Sequence, residues 1–180
     1  MGESIGESLI RVTLRPLQVT DAALLAELYC SNRDFLQPFD PVRPERFFTE
    51  PGQRAALEQL DRERDADAGY RFLIQAAGDP AGVVSVSRIT RGPFQNAGLG
   101  YWVAQDLNGR GVATQAIAQI CEWGFGPARL HRLEAATLTD NIGSQTVLRR
   151  NGFHEVGLCP AYLEIAGSWR DHILFQRTAG

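Results

Sequence analysis

The 180-residue sequence has few cysteines, no excess of basic residues and no long apolar run. Its three cysteines are odd in number and widely spaced, without a CxxC pair. This pattern argues against a disulfide framework or a cysteine metal site and favours a reducing compartment. The net charge of −3 argues against a nucleic-acid partner, which normally requires a basic face. No apolar segment approaches the roughly 20 residues of a membrane-spanning helix.

Residues 1–7 also lack the basic region and apolar core of a signal peptide. We therefore expect a cytoplasmic protein with no membrane, nucleic-acid or metal partner. The oligomeric state stays open, a homodimer included. A hydrophobic content of 44% with 22% charged residues is typical of a globular domain, and this length suffices for one. The sequence predicts a single domain over residues 9–177.

The segment around which the chain is organised is Asn108-Gly109-Arg110-Gly111-Val112-Ala113-Thr114. It follows a strand-like run at 99–103 and leads into a helical pattern, in which apolar or small residues recur every three or four positions. A helix start offers backbone N–H groups without internal partners and the positive end of a macrodipole. Glycine lets a ligand approach these groups closely. The pattern therefore predicts a phosphate or pyrophosphate site.

Two better-known phosphate loops do not match this segment. A Walker loop requires a lysine before its Ser or Thr, and none stands here. A dinucleotide fingerprint opens the first strand–helix unit, whereas this segment lies past the middle of the chain. Because glycine pairs are also common in turns, a purely structural loop stays open as an alternative.

The remaining sequence alternates between strand and helix patterns, which predicts an α+β domain. The predicted strands are 9–15, 70–76, 82–89, 97–103, 133–138, 153–158 and 169–176. The predicted helices begin near residue 20 or 21, cover 52–67, follow the glycine segment, and cover 141–151. Short turns between the strands of 70–103 indicate antiparallel neighbours. Residues 35–44 are predicted to lack regular structure, and their aromatic side chains either cover the core or line a cleft.

Several motifs together resemble the GNAT superfamily of acyl-CoA-dependent N-acyltransferases. N-G-R-G-V-A resembles its R/Q-x-x-G-x-G/A pyrophosphate loop, although Asn108 stands where Arg or Gln is usual. Four further motifs resemble the RimJ/RimL branch, the ribosomal-protein N-terminal acetyltransferases, and are closer to the RimJ side. They are F-L-Q-P-F (35–39), G-Y-W-V (100–103), D-N-I-G-S-Q-T-V-L-R-R-N-G-F (140–153) and Y-L-E-I-A-G-S-W-R-D-H (162–172). The match touches residues from about 10 to 176 in the right order.

This resemblance implies the GNAT fold, a mixed and mostly antiparallel sheet with helices on both faces. Its two middle strands, here 99–103 and 133–138, would splay apart beside the glycine segment. The resemblance also implies acetyl-CoA as the cofactor and a primary amine as the acceptor, in the first place the N-terminal α-amine of a protein or peptide. Two alternatives stay open: an enzyme for small amines such as an amino sugar, polyamine or antibiotic, and a non-catalytic acyl-CoA-binding domain.

The resemblance assigns roles to individual residues. The segment 108–114 would hold the pyrophosphate of coenzyme A. Asn141 would hold the pantetheine arm, and Ser144 would donate to the leaving sulfur, although both are also ordinary residues for a helix start. The acceptor would contact the loops near 35–48 and 159–168. The strand residues whose backbone would pair with the pantetheine are Tyr101, Trp102 and Val103, and the acceptor-site candidates are Phe35, Phe39 and Tyr162.

Many GNAT enzymes carry a tyrosine acid four residues before the Gly-Phe pair, but that position here is Leu148. Ser144 or water is left as the acid. A dedicated base is not evident, since the residue before Tyr162, where the RimL side carries Glu, is Ala161.

Glu134 and Glu164 stay open as bases, although a strand or turn context explains each without catalysis. Asp171 is expected to form a local ion pair between Arg170 and His172.

Overall fold

The computed structural model describes residues 10–180, so that Leu9, the first residue of the first predicted strand, lies outside the described part. The strands are β1 (Val12–Pro16), β2 (Gly69–Ala76), β3 (Asp79–Thr90), β4 (Asn96–Val103), β5 (Arg132–Leu138), β6 (His154–Ile165) and β7 (Ser168–Thr178). The α-helices are α1 (Ala22–Ser31), α2 (Arg33–Leu36), α3 (Glu50–Asp65), α4 (Val112–Phe125) and α5 (Ile142–Arg150).

The strands form one sheet in the order β1-β2-β3-β4-β5-β7-β6. Every neighbouring pair is antiparallel except β4 and β5, which are parallel. The parallel pairing stops at Leu99 and Ala135, whereas β4 continues to Val103 and β5 to Leu138. The two middle strands therefore splay apart beyond Leu99. The predicted mixed, mostly antiparallel sheet with splayed middle strands is confirmed.

Helices cover both faces of the sheet because successive strand residues point to opposite sides. On β2, Phe72 and Ile74 belong to the larger core cluster, which includes the buried face of α4. Leu73, between them, belongs to a second cluster in which α1 and α3 contribute Leu25 and Leu57. The sheet is thus held between two apolar layers, and the splay opens at the edge of the α4 layer.

The prediction that residues 35–44 lack regular structure was wrong for their first part. Phe35 and Leu36 end helix α2, and Gln37–Phe39 form a 3₁₀ turn. Pro38 is compatible with this turn because the N–H groups at the start of a helix have no internal partner, so a missing donor costs little.

Strand β6 is longer than predicted, since it continues past Leu158 to Ile165 and forms a hairpin with β7. The segment 159–165, expected as a loop, is therefore mostly strand. Its register with β7 shifts between Cys159 and Leu163, and Ala161 in this bulge has a left-handed φ of 45°. A bulge inserts unpaired residues into one strand while preserving the flanking ladder, so the apolar pattern is interrupted although the strand continues.

The predicted ion pair around Asp171 was wrong. Asp171 Oδ1 accepts a hydrogen bond from the backbone N–H of Ala161 at 2.8 Å, and Arg170 instead pairs with Asp140 at 3.2 Å. His172 is buried, and its Nδ1 lies 3.0 Å from the carbonyl of Arg170. Asp171 thus satisfies a backbone group of the bulge, which explains its position without a role toward substrate.

Candidate active site

A cleft of about 360 Å³ lies where β4 separates from β5, between the N-terminal ends of α4 and α5. Most of the predicted site residues line it. They are Phe35, Phe39, Tyr101, Trp102, Val103, Asn108, Gly109, Gly111, Val112, Ala113, Thr114, Asn141 and Ser144. Arg110 and Tyr162 are not among the described residues that line it. The splay, the glycine segment and the start of α5 thus meet at one site.

Gly109 and Gly111 shape the wall of the cleft at the start of α4. Both have left-handed backbones, with φ of 74° and 79°, and Gly111 is the N-cap of the helix. A Cβ added to either residue would meet no atom within 4 Å, so the space in front of the backbone is open. A 14-residue helix directs its first N–H groups toward this space. The cradle fits a pyrophosphate, and the left-handed turn itself also requires glycine.

The side chain of Asn108 holds the turn before the glycines. Its Nδ2 donates to the carbonyl oxygens of Ala104 and Gln105, at 3.1 and 3.2 Å. The amide is therefore directed to the protein's own backbone, which gives a structural reason for Asn where the family pattern has Arg or Gln. Arg110 is exposed and does not line the cleft. Within the glycine segment itself, an anion would be bound by backbone N–H groups.

Sequence reasoning missed one face of α5, which contributes Gly143, Thr146, Val147 and Arg150 to the cleft. These residues are spaced by three, one and three positions, the spacing of a single helical face. Arg150, in the last turn of α5, is the only charged residue among the described lining residues. The spacing was readable from the sequence, but which face of α5 met the cleft depended on how the helix packs.

Asn141 has the capping role that its residue type allows. Its Oδ1 accepts the backbone N–H of Ser144 at 3.0 Å, which is the N-cap interaction at the start of α5. Ser144 lies half-buried in the first turn and also lines the cleft. The alternative that Asn141 caps the helix is therefore confirmed, through its side-chain oxygen. The predicted contact between Asn141 and the pantetheine stays a prediction.

A tyrosine hydroxyl reaches the predicted acid from the neighbouring strand. Tyr101 Oη lies 2.9 Å from Ser144 Oγ and 3.2 Å from the Ser144 carbonyl oxygen. Burial raises the pKa of Tyr101 to about 12, so its phenol stays protonated near neutral pH. Leu148 is fully buried, and no tyrosine stands at that position. The phenol beside Ser144 was missed because only the backbone of Tyr101 was assigned a role.

Two of the three acceptor-site candidates, Phe35 and Phe39, come from α2 and the 3₁₀ turn that follows it. The rings of Phe35 and Phe39 are 6.1 Å apart and line the cleft. Tyr162 lines neither this cleft nor a second cavity of about 350 Å³ beside it, and its ring instead lies 5.6 Å from that of His172. The backbone N–H of Ala166 donates to the Asp40 carbonyl at 3.0 Å, so the two predicted acceptor segments touch.

The two carboxylates that sequence reasoning left open as bases do not line the cleft. Glu134 accepts a hydrogen bond from Asn96 Nδ2 at 3.1 Å, and Glu164 is exposed opposite Trp169 on the β6–β7 hairpin. Among the described lining residues there is neither a carboxylate nor a histidine. Within residues 10–180, no group of three or more potential metal ligands is found, and no helix is long and apolar enough to cross a membrane.

Comparison with known proteins places this site in a family. The model of the acetyltransferase (GNAT) domain matches residues 11–154 of the chain. The protein belongs to the GNAT acetyltransferases. It is 36% identical over 163 residues to the probable N-acetyltransferase YjcK of Bacillus subtilis, covering 89% of this chain and 90% of that protein. It is 31% identical over 170 residues to the ribosomal protein uS5-alanine N-acetyltransferase of Escherichia coli, covering 93% and 88%.

Among solved structures, the chain is similar to Mycobacterium smegmatis RimJ in complex with CoA-disulfide. The TM-score is 0.90 at 32% identity, covering 94% of this chain and 85% of that one. The resemblance to the RimJ/RimL branch and the GNAT fold are thereby confirmed. This GNAT protein is an acetyl-CoA-dependent N-acyltransferase. The roles of single residues in its cleft, and the domain bounds 9–177, stay predictions.

Proposed function

We propose that this GNAT enzyme transfers the acetyl group of acetyl-CoA to the N-terminal α-amine of a protein, with a preference for a small first residue such as Ala or Ser. The observation that carries the proposal is the match to the Escherichia coli uS5-alanine N-acetyltransferase over nine-tenths of the chain. The match covers 93% of this chain, so it includes both the glycine cradle and the start of α5.

The absence of a base among the described lining residues favours an α-amine over a lysine. The attacking nitrogen must be unprotonated, and an α-amine has a pKa of about 7.7–8.0 against about 10.4 for lysine. At neutral pH roughly a tenth of α-amines are neutral, but fewer than about one in a thousand lysines. An enzyme that acetylated lysine would have to overcome roughly 3.4 kcal/mol more, and the lining residues that the structure describes include no carboxylate or histidine that could act as a base.

The apolar acceptor end supports a small first residue. Phe35, Leu36 and Phe39 form this wall, and Phe35 and Leu36 are fixed by helix α2. A large first side chain would have to displace these residues, of which Leu36 is buried in the core. A short chain such as Ala or Ser needs no such displacement.

The proposal includes the cytoplasm as the compartment of this enzyme. The three cysteines are free, and Cys30 is exposed, which suits the reducing cytoplasm in which ribosomal proteins are made. A measurement of molecular mass in solution tests whether the protein forms the homodimer considered above.

A peptide panel with free-thiol detection tests the proposal. Peptides identical except for a first residue of Ala, Ser, Leu or Trp are compared with an amino sugar and a polyamine. We expect turnover with the Ala and Ser peptides, less with the bulky ones, and none above background with the small amines. The enzyme contains no lysine, so lysine acetylation cannot occur on the enzyme itself. Turnover of a small amine ahead of every peptide would contradict the proposal.

A further inference from the structure

We propose that Tyr101 is a positioning residue for Ser144: its phenol donates to the Ser144 hydroxyl and directs the hydroxyl's own proton toward the thioester sulfur. The inference rests on the proposed function, because it takes Ser144 to act where the thiol of coenzyme A leaves. It adds a second hydroxyl, from strand β4, to the serine hydroxyl of helix α5 at this sulfur.

The geometry that carries the inference joins two distant parts of the chain. Tyr101 lies on the part of β4 that has left β5, and Ser144 lies in the first turn of α5. The two oxygens are 2.9 Å apart, a normal distance for an O–H···O hydrogen bond. Both residues line the cleft. The start of α5 is fixed by the Asn141 cap, so the serine hydroxyl is held at a defined point relative to the phenol.

Two hydrogen-bond arrangements are compatible with these distances. In one, the phenol donates to the Ser144 carbonyl at 3.2 Å and the serine hydroxyl donates back to the phenol oxygen. The serine proton is then unavailable to a ligand. In the other, the phenol donates to Ser144 Oγ, and the serine proton is free to point into the cleft. Negative charge on a sulfur in the cleft favours the second arrangement, because a hydroxyl that accepts a hydrogen bond becomes a better donor.

The phenol acts as a donor throughout and does not lose its proton. Burial raises the pKa of Tyr101 to about 12, roughly 3.5 units above the reference value of about 8.5 for a thiol. Complete transfer of the proton to a thiolate would therefore be uphill. The pair of hydroxyls stabilises the sulfur through a hydrogen bond, and the proton that completes the thiol comes from water.

The transfer exchanges one C–S bond for one C–N bond. Acetyl-CoA is a substrate of this reaction, and the amine lone pair attacks its carbonyl carbon to form the C–N bond. The C–S bond breaks, and its electron pair goes to the sulfur that Ser144 faces. The amine nitrogen gives one proton to water, and the sulfur takes one from water. Tyr101 and Ser144 end the step with the protons they had at its start.

The ionisation of bound coenzyme A tests this role without any acceptor. The ultraviolet absorbance of the thiolate is titrated against pH with wild type, Tyr101→Phe, Ser144→Ala and the double variant, each corrected with the same protein lacking coenzyme A. If the hydroxyl pair stabilises the thiolate, the pKa of the bound thiol rises by about one unit in each single variant. The double variant shows no further rise. Arg150, the charged side chain in the described cleft lining, is present in all four proteins, so its effect on the thiol pKa is the same in each.

Tyr70→Phe is the matched control. The Tyr70 hydroxyl bonds to Asp67 at 3.0 Å, and its ring packs on Trp123 within the same core cluster, away from the cleft lining. Removing this hydroxyl should leave the pKa of the bound thiol unchanged. If Tyr101 were only a tether between β4 and α5, Tyr101→Phe would lower the midpoint of thermal unfolding and leave that pKa at the wild-type value, and this result would overturn the inference.

Turnover gives the second readout. Tyr101→Phe should lower kcat and kcat/KM together by about tenfold with acetyl-CoA affinity unchanged, and the double variant should be no slower than Ser144→Ala. If the decreases in kcat caused by the two substitutions multiply in the double variant, the two hydroxyls do not share one role. If wild type acetylates no peptide, the proposed acceptor is wrong, but the thiol titration still decides the role of Tyr101. The two failures are therefore distinguishable.

Discussion

Replacing Gly111 should separate the cost of its backbone conformation from its role in binding coenzyme A. Its φ of 79° is left-handed, so any residue with a Cβ costs about 1–2 kcal/mol of folding free energy there. For a domain of this size, that corresponds to a decrease of about 2–8 °C in the midpoint of thermal unfolding. Because no atom lies within 4 Å of the added Cβ, Gly111→Ala and Gly111→Trp should lose similar stability. Only the tryptophan fills the space in front of the N–H groups of α4.

Isothermal titration with coenzyme A and thermal unfolding together measure the two effects. We expect Gly111→Trp to weaken coenzyme A binding by at least about tenfold, or 1.4 kcal/mol, and Gly111→Ala to weaken it much less. Gly78→Trp is the matched control, since Gly78 has a φ of 98° and open space in the β2–β3 turn. It should lose stability without losing affinity. Undiminished affinity in Gly111→Trp would mean that the pyrophosphate binds elsewhere.

Two further substitutions test the site and the fold. Ser144→Ala should lower kcat and kcat/KM together by roughly ten- to a hundredfold with little change in acetyl-CoA affinity. Equal turnover would mean that the serine hydroxyl does not stabilise the leaving sulfur. Asp21→Asn should lower the free energy of unfolding at pH 7 by about 1–2 kcal/mol, because the hydrogen-bonded Arg15 guanidinium holds the pKa of this buried carboxyl below its usual range. A carboxyl whose pKa is lowered by folding stabilises the protein at pH values above its unfolded-state pKa of about 3.9. This contribution is lost as the pH falls through the folded-state pKa, so wild type and Asp21→Asn should then have the same free energy of unfolding. A difference in unfolding free energy that persists at that pH would refute the assignment. Asp61, whose side chain is 37% exposed, pairs with Arg64 on α3, and Asp61→Asn should change stability by less than about 1 kcal/mol.

The sheet could be predicted because its strands carry local signals. The short turns between β2, β3 and β4 contain glycine and indicate antiparallel neighbours. The splay was expected from the family resemblance, not from these patterns. Its position depends on where the β4–β5 ladder stops, at Leu99 and Ala135, and nothing in either strand alone marks that point.

Two of the misjudged side chains, those of Asp171 and Tyr101, make contacts with residues distant in sequence. Asp171 lies between an arginine and a histidine in sequence, yet it bonds to the backbone of Ala161 because the β6–β7 hairpin brings that bulge opposite it. The Tyr101–Ser144 contact joins residues 43 positions apart and depends on the angle at which α5 packs. Side-chain spacing within a helix or strand contains no information about such contacts.

Competition between the two kinds of amine tests the central claim most directly. A peptide that begins with Ala and contains one internal lysine is incubated with acetyl-CoA and enzyme, beside a copy whose N-terminus is blocked, and the modified positions are located by mass spectrometry. We predict acetylation at the α-amine of the free peptide and none above the enzyme-free background on the lysine of either. If the blocked peptide is acetylated on lysine as fast as the free peptide is at its α-amine, the assignment of the acceptor is wrong.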